Sequence, residues 1–165
     1  MAFMALAGNV VWWLFGGIFL SLSWFLFGLI MFASVICAPF GRACFTMAKL
    51  TLSPFGKDVV STAELRQAKA IHQGDESLAK GNAALQTVGG LTKIIWLPFG
   101  LFLAIGHVVH GCILFVFIIT IPLGIQSFKI AGLSLFPVGK RVVSKELAAK
   151  VRGYSADREL DKAGV

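Results

Sequence analysis

The sequence predicts an all-α integral membrane protein of two tandem repeats, each a hydrophobic helical hairpin (or one long tilted helix) plus a short amphipathic interfacial helix. The first observation is composition. The chain has 165 residues, of which 57% are hydrophobic and 14% charged, and its mean hydropathy is +0.82, whereas about 25% of a soluble domain is charged. The second is two tracts without Asp, Glu, Lys or Arg, at 1–41 and 94–128. Both far exceed the roughly 20 residues that cross a bilayer once.

The third observation is an internal duplication. A shift of 83 residues aligns Asn9–Ser61 with Thr92–Ser144 without a gap. The clearest stretch reads PFGRACFTMAKLTLSPFGKDVVS in the first copy and PLGIQSFKIAGLSLFPVGKRVVS in the second. Self-similarity of this kind indicates two copies of one membrane unit. The predicted organisation is a first membrane repeat (1–61), a polar helical linker (62–91), a second membrane repeat (92–144) and a basic cytoplasmic helical tail (145–165).

Charge bias predicts how the apolar stretches Val10–Ala38 and Ile94–Ile121 are threaded. Lysine and arginine follow both stretches, and the positive-inside rule places such residues in the cytoplasm. An even number of crossings per repeat satisfies the rule, so each stretch is expected to fold as a hairpin, in parallel rather than inverted repeats, with linker and C-terminus cytoplasmic. The two helices of a hairpin would have only about 16 to 18 residues each, near the lower limit for spanning. Short, tilted or re-entrant hairpins and a single long tilted helix therefore remain open. The candidate bends are Gly16-Gly17, Ser21, Pro98, Gly100 and Gly106.

A semi-polar segment follows each apolar stretch, at Arg42–Ser53 and Ile125–Phe136, and ends at a Pro-x-Gly-Lys turn. Its apolar residues recur at helical spacing, which is typical of an amphipathic helix that lies at the cytoplasmic interface or dips into the edge of the bundle. Basic residues at the turns are candidate contacts for anionic lipid headgroups, namely Lys57, Lys140 and Arg141. The net charge of +7 fits anionic lipid better than nucleic acid, because acidic residues interleave with the basic ones.

Two pairs of small residues recur at matching positions, Gly17 with Ser21 and Gly100 with Ala104. In lipid, small residues four apart let helix backbones approach closely enough for dispersion to hold them together. These four residues are therefore candidate helix-packing positions. The pattern does not distinguish contacts within one chain from contacts between subunits.

His107 and His110 are the ionisable side chains inside the apolar stretches, and their counterparts in the first copy are Trp24 and Phe27. Intramembrane histidine is costly, which favours a pore or a proton relay. The structural alternative is a neutral imidazole hydrogen-bonded to a nearby carbonyl, or a ring that reaches the interface at the tip of the hairpin. No metal site is predicted, because two histidines without an acidic or cysteine partner make a poor one.

The segment IPLGIQSFKIAGLSLFPVGKRVVS at Ile121–Ser144 resembles the signature segment of the YccF family of bacterial inner-membrane proteins. Ala38–Ser61 looks like a diverged copy. The two copies differ at two notable positions: Thr46 stands where the second copy has Lys129, and Asp58 stands where it has Arg141. The resemblance implies a small, duplicated component of the bacterial inner membrane and brings no catalytic residues.

Two functions are compatible with these features. The first is an oligomeric channel or transport component with its pore between subunits of a homo-oligomer. The second is a non-transporting scaffold that senses lipid or protein partners. An enzyme is not expected, since no catalytic motif occurs, and no cofactor is predicted.

Overall fold

A computed structural model describes residues 2–34, 37–75, 77 and 83–164. The all-α membrane class is confirmed, with one small addition: two short strands. In chain order the elements are α1 (Ala2–Trp12), a π-type turn (Trp13–Gly17), α2 (Ile18–Ala33), α3 (Ala38–Leu52), β1 (Lys57–Ser61), α4 (Thr62–Gln73), α5 (Ala83–Leu114), a 3-10 turn (Ile118–Thr120), α6 (Ile121–Leu135), β2 (Lys140–Ser144) and α7 (Lys145–Ala163). Three segments are long and apolar enough to cross a membrane, judged by length and composition: Phe3–Ala33, Thr92–Leu114 and Ile118–Leu135.

The reversals of the two hairpins lie later in the chain than the sequence predicted. α2 runs on to Ala33, and the chain returns as α3; α5 runs on to Leu114 and returns as α6. The semi-polar segments are therefore not separate surface helices. They belong to α3 and α6, the second helices of the two hairpins, which we call the return helices. Proline in the first turn of α3 and of α6 suits a helix start, where its missing N–H costs nothing.

The predicted bends have other roles. Gly16 kinks the first apolar helix with a φ of 106°, a conformation that glycine adopts freely, but the helix continues beyond it. Pro98 lies inside α5, as do Gly100 and Gly106, and Ser21 lies inside α2. These positions do not reverse the chain, since the helix resumes or continues past each of them.

The turn from α5 to α6 is apolar and supplies its own hydrogen bonds. Phe115 to Ile119 are all exposed apolar side chains. The buried Thr120 hydroxyl donates to the carbonyl oxygens of Leu114 and Phe117, and the backbone N–H of Thr120 also donates to Phe117. Irregular backbone without internal partners is not tolerated in lipid. The turn therefore pairs part of its own backbone and exposes apolar side chains.

The strands β1 and β2 join the two halves as an antiparallel ribbon. Lys57 lies opposite Ser144, Ser61 opposite Lys140, and Val59 opposite Val142. The backbone N–H of Thr62 donates to Gly139, and that of Lys145 donates to Gly56. The sequence Lys-x-Val-Val-Ser thus pairs with its own copy, and both hairpins end at one ribbon.

The ribbon separates two cores. Val59 and Val142 belong to the core of the apolar helices, whereas Val60 and Val143 contact a second, smaller core formed with α4 and α7. This alternation is the period of two expected for a strand covered on both faces. The polar helices therefore form a layer on the face of the ribbon opposite the apolar bundle.

The two halves are related by a pseudo-two-fold axis. Val59 pairs with Val142, its counterpart 83 residues on, and Trp24 bonds to its counterpart His107. A residue that contacts its own copy must lie at such an axis. The Trp12 ring contacts His110 while Phe27 contacts Trp96. The start of each apolar helix thus lies beside the end of the other, so both helices cross the axis.

Candidate functional site

The two halves meet at two places with unusual polar chemistry. One is the axial cluster, which consists of Trp24, His107 and His110 with the groups that they bond. The other is the pair of surfaces beside the ribbon where a return helix of one half faces the turn and strand of the other half.

In the axial cluster, the indole N–H of Trp24 donates to Nε2 of His107 over 2.9 Å. His107 is 2% exposed, and accepting this bond requires a neutral ring whose proton is on Nδ1. That Nδ1 has no hydrogen-bond partner among the described residues. His107 therefore faces the interior of its own chain, and not a surface that a second subunit could line.

His110 stabilises the kink of the other half. Its Nε2 donates to the carbonyl oxygen of Phe15 over 2.6 Å, and its Nδ1 lies 2.7 Å from the Ser127 hydroxyl. The backbone at Phe15 and Gly16 is not helical, which leaves the Phe15 carbonyl in need of a donor. This geometry matches the structural alternative, a neutral imidazole bonded to a carbonyl. The predicted pore or proton-relay role of both histidines stays a prediction.

One buried tryptophan in each apolar helix bonds that helix to its own return helix. The indole N–H of Trp12 donates to the Thr51 carbonyl, and that of Trp96 donates to the Ser134 carbonyl. Both indole rings are fully buried. Although sequence alignment matches Trp96 with Trp13, Trp12 takes its place, because the π-type turn adds one residue before Gly17.

The four predicted packing residues lie at close contacts or buried positions inside the chain. A Cβ on Gly17 would lie 2.0 Å from Nε1 of Trp12, and one on Gly100 would lie 2.5 Å from Nε1 of Trp96. The Ser21 hydroxyl donates to the Ala48 carbonyl over 2.9 Å, and Ala104 is buried. Small residues at these positions make room for the indole rings and the return helices.

On one side of the axis, an ion-pair cluster closes the surface beside the ribbon. Asp58 contacts Lys129 and Arg152, each at 2.8 Å. Partial burial alone raises the pKa of the Asp58 carboxyl, but hydrogen bonds from Arg152 and Lys129 outweigh burial and hold the pKa well below its ordinary value. The three charged groups satisfy one another. We call this side of the axis, which takes residues from both repeats, the closed half, and the opposite side the open half.

On the other side, the equivalent surface is an open cavity of about 1030 Å³, which we call the basic cleft. It brings together α3 and the turn and strand β2 of the second half. None of its described lining residues is acidic, and four are basic. All the described lining residues are Phe32, Ala38, Arg42, Ala43, Thr46, Lys49, Thr62, Pro137, Gly139, Lys140, Arg141 and Val142.

The predicted headgroup contacts are divided between the basic cleft and a smaller cavity beside it. Lys140 and Arg141 line the basic cleft. Lys57 lines a smaller cavity of about 440 Å³, which shares Lys49 with the cleft. Sequence reasoning missed Arg42 and Lys49 as members of this site. Their spacing of seven residues, two helical turns, was the available signal that they share one face of α3.

These features define a class: a small helical membrane protein whose two repeats join through a central ribbon. The chain matches the model of the YccF family, described as an inner membrane component domain, over residues 7–57 and again over 91–140. The chain belongs to the YccF family.

Two relatives support this assignment. The "Inner membrane protein YccF" of Escherichia coli (strain K12) is 35% identical over 154 residues, which cover 93% of this chain and 97% of that protein. The protein of the same name from Shigella flexneri matches equally well. No solved structure matches this chain. The protein is thus a small inner-membrane protein.

Proposed function

We propose that the protein is a non-transporting component of the inner membrane that holds its polar helical layer at the cytoplasmic surface for protein partners. The observation that carries this proposal is the pairing of β1 with β2. Because both hairpins end at one ribbon, the linker and the tail leave the membrane on the same face. The positive-inside rule makes that face the cytoplasmic one.

The apolar turn supports hairpins that enter and return without reaching the far side. Its exposed residues include Phe117, Ile118 and Ile119, which are 63%, 85% and 87% exposed. Transfer of an apolar surface of this kind from water into lipid lowers the free energy. The polar layer of α4 and α7 lies on the opposite side of the ribbon, where water is available. No catalytic activity is part of this proposal.

Thiol accessibility tests the proposal. In a variant with Cys37, Cys44 and Cys112 replaced by Ala, one new cysteine is placed at Val116 or, in a second variant, at Ser155. In intact spheroplasts, a membrane-impermeant maleimide should label neither cysteine. After permeabilisation it should label Ser155→Cys and leave Val116→Cys unlabelled. Labelling of Val116→Cys from outside would show a complete crossing, and labelling of Ser155→Cys from outside would reverse the sidedness.

Transport is the second candidate function, and one observation favours it: the buried Nδ1 of His107 has no partner among the described residues. Because His107 lies inside the chain, a path through it would follow the interface between the halves and not a pore between subunits. Ion flux in liposomes tests this function. Under our proposal, flux stays at background and is unchanged by His107→Ala with His110→Ala.

The predicted homo-oligomer is tested in the same preparations by the mass of the detergent-solubilised protein.

A further inference from the structure

We propose that the basic cleft binds the phosphate headgroup of one anionic phospholipid. The cleft gathers Arg42 and Lys49 from α3 with Lys140 and Arg141 from the second half, and no described lining residue is acidic. Like charges gathered in one cavity repel one another, so this arrangement favours an anionic ligand that neutralises them. Arginine and lysine are the residues that bind phosphate, arginine in a bidentate manner and lysine as a point charge.

The adjoining groove identifies the phosphate as part of a lipid. An apolar groove of about 630 Å³ runs between α2 and α3 and is lined by Ile18, Ser21, Leu22, Phe25, Phe45, Ala48, Lys49 and Leu52. Lys49 lines both the groove and the cleft. A ligand whose charged group meets Lys49 therefore has an apolar channel beside it, which suits an acyl chain.

The site exists on one side of the axis only, although the fold is duplicated. The counterparts of Arg42 and Lys49 are Ile125 and Gly132. The counterpart of Arg141 is Asp58, which forms the ion pairs of the closed half. Thr46, which lines the cleft, is replaced there by Lys129, the partner of Asp58. The two departures from the repeat thus exchange a salt bridge for an open cationic site.

Lipid binding tests the inference directly. The full-length protein in neutral detergent is titrated with dioleoyl phosphatidylglycerol, and bound lipids are counted by native mass spectrometry. Dioleoyl phosphatidylcholine and glycerol 3-phosphate are titrated in parallel. We expect one phosphatidylglycerol per chain, with weaker binding of both other probes. Glycerol 3-phosphate binding as tightly as phosphatidylglycerol would overturn the lipid assignment, and equal binding of phosphatidylcholine would overturn the anionic one.

Two variants locate the site. Arg42→Gln with Arg141→Gln should weaken phosphatidylglycerol binding about 30-fold, since each basic residue near an anionic headgroup contributes about fivefold. The matched control is Lys145→Gln with Lys150→Gln, which removes the same charge from α7 and should change the affinity less than twofold. An equal loss of phosphatidylglycerol affinity in both variants would mean that only the net charge of the protein matters, and would overturn the proposed site.

The closed half supplies the template for a third variant. Thr46→Lys with Arg141→Asp copies Lys129 and Asp58 into the open half and should abolish binding at the cleft. If this variant does not fold, Arg42→Gln alone should still weaken binding about fivefold, and unchanged affinity would contradict the inference. These measurements do not depend on how far the hairpins enter the membrane, so their outcome is independent of the proposed function.

Discussion

The two halves of this protein share a backbone plan and differ in what they place beside the ribbon. In the closed half, Asp58 binds Lys129 and Arg152; in the open half, the equivalent surface is a cavity lined by four basic residues. A duplicated fold needs each repeat for packing, but one working copy of a ligand site is sufficient. This difference indicates that both copies keep the same packing, while their surface charges have diverged.

The largest expected effect concerns what both halves have kept. A Cβ on Gly100 would lie 2.5 Å from Nε1 of Trp96 and 2.6 Å from the Ser134 carbonyl oxygen, a backbone atom. Gly100→Ala should therefore lower the free energy of unfolding by about 3 kcal/mol. Gly106→Ala is the control, since its Cβ would meet nothing within 4 Å. Denaturation in detergent micelles measures both, and equal stability of the two variants would contradict the packing account.

The next effect concerns the axis itself. Trp24→Phe removes the donor to His107 and leaves a buried ring nitrogen unpaired, which should cost about 2 kcal/mol. Trp13→Phe is the matched control: Trp13 also donates a hydrogen bond, to Leu52, but it is exposed and should cost well under 1 kcal/mol. If the two substitutions destabilise the protein equally, the bond between Trp24 and His107 does not hold the halves together.

A smaller effect concerns the ion pairs that distinguish the halves. Because both cationic partners of Asp58 are about half exposed, Asp58→Asn should cost only about 1 kcal/mol. The lowered pKa of Asp58 means that its contribution is complete above the ordinary carboxyl pKa of about 4 and is lost as the pH falls through the lower, folded-state pKa. Stability measured from pH 7 to pH 3 should therefore fall less steeply for Asp58→Asn than for the wild type. Parallel profiles of stability against pH for Asp58→Asn and the wild type would contradict the stabilising role of the ion pairs. The control is Asp157→Asn, at an exposed position.

The smallest effect compares the two helix starts that follow the ribbon. Ser61 forms a capping box with Glu64 at the start of α4, whereas Ser144 accepts one bond, from the backbone of Leu147. Ser61→Ala should cost about 1 kcal/mol and Ser144→Ala about 0.5 kcal/mol. The same denaturation measurements check the order, and a larger cost for Ser144→Ala would contradict it.

Much of the fold could be predicted from the sequence, because lipid leaves few ways to bury a long uncharged tract. The duplication, the helical class and the start of α4 at Ser61 follow from local patterns. The position of the reversals could not be predicted. The fall in hydropathy after Ala38 favoured a surface helix over the second helix of a hairpin, and only Pro39 hinted that a new helix begins there.

The ribbon and the site were harder to predict. Both strands have five residues, and their Val-Val pairs carry little signal beside the long apolar tracts. The basic cleft depends on tertiary contacts between α3 of one half and β2 of the other, which no local pattern specifies. Besides the spacing of Arg42 and Lys49, a hint lay in the exchange of Thr46 for Lys129 and of Asp58 for Arg141, since paired departures from a repeat indicate positions that face each other.

Disulfide cross-linking of the ribbon tests the central claim that both hairpins end together on one face. Lys57 and Ser144 are directly opposite, and the bond from Lys145 to Gly56 makes them a non-hydrogen-bonded pair, whose side chains approach closely. With the native cysteines replaced by Ala, Lys57→Cys with Ser144→Cys should form an intrachain disulfide in native membranes. Lys57→Cys with Lys140→Cys, at opposite ends of the ribbon, should not. A chain that links neither pair, or the second in preference to the first, would contradict the joined halves and the common exit face.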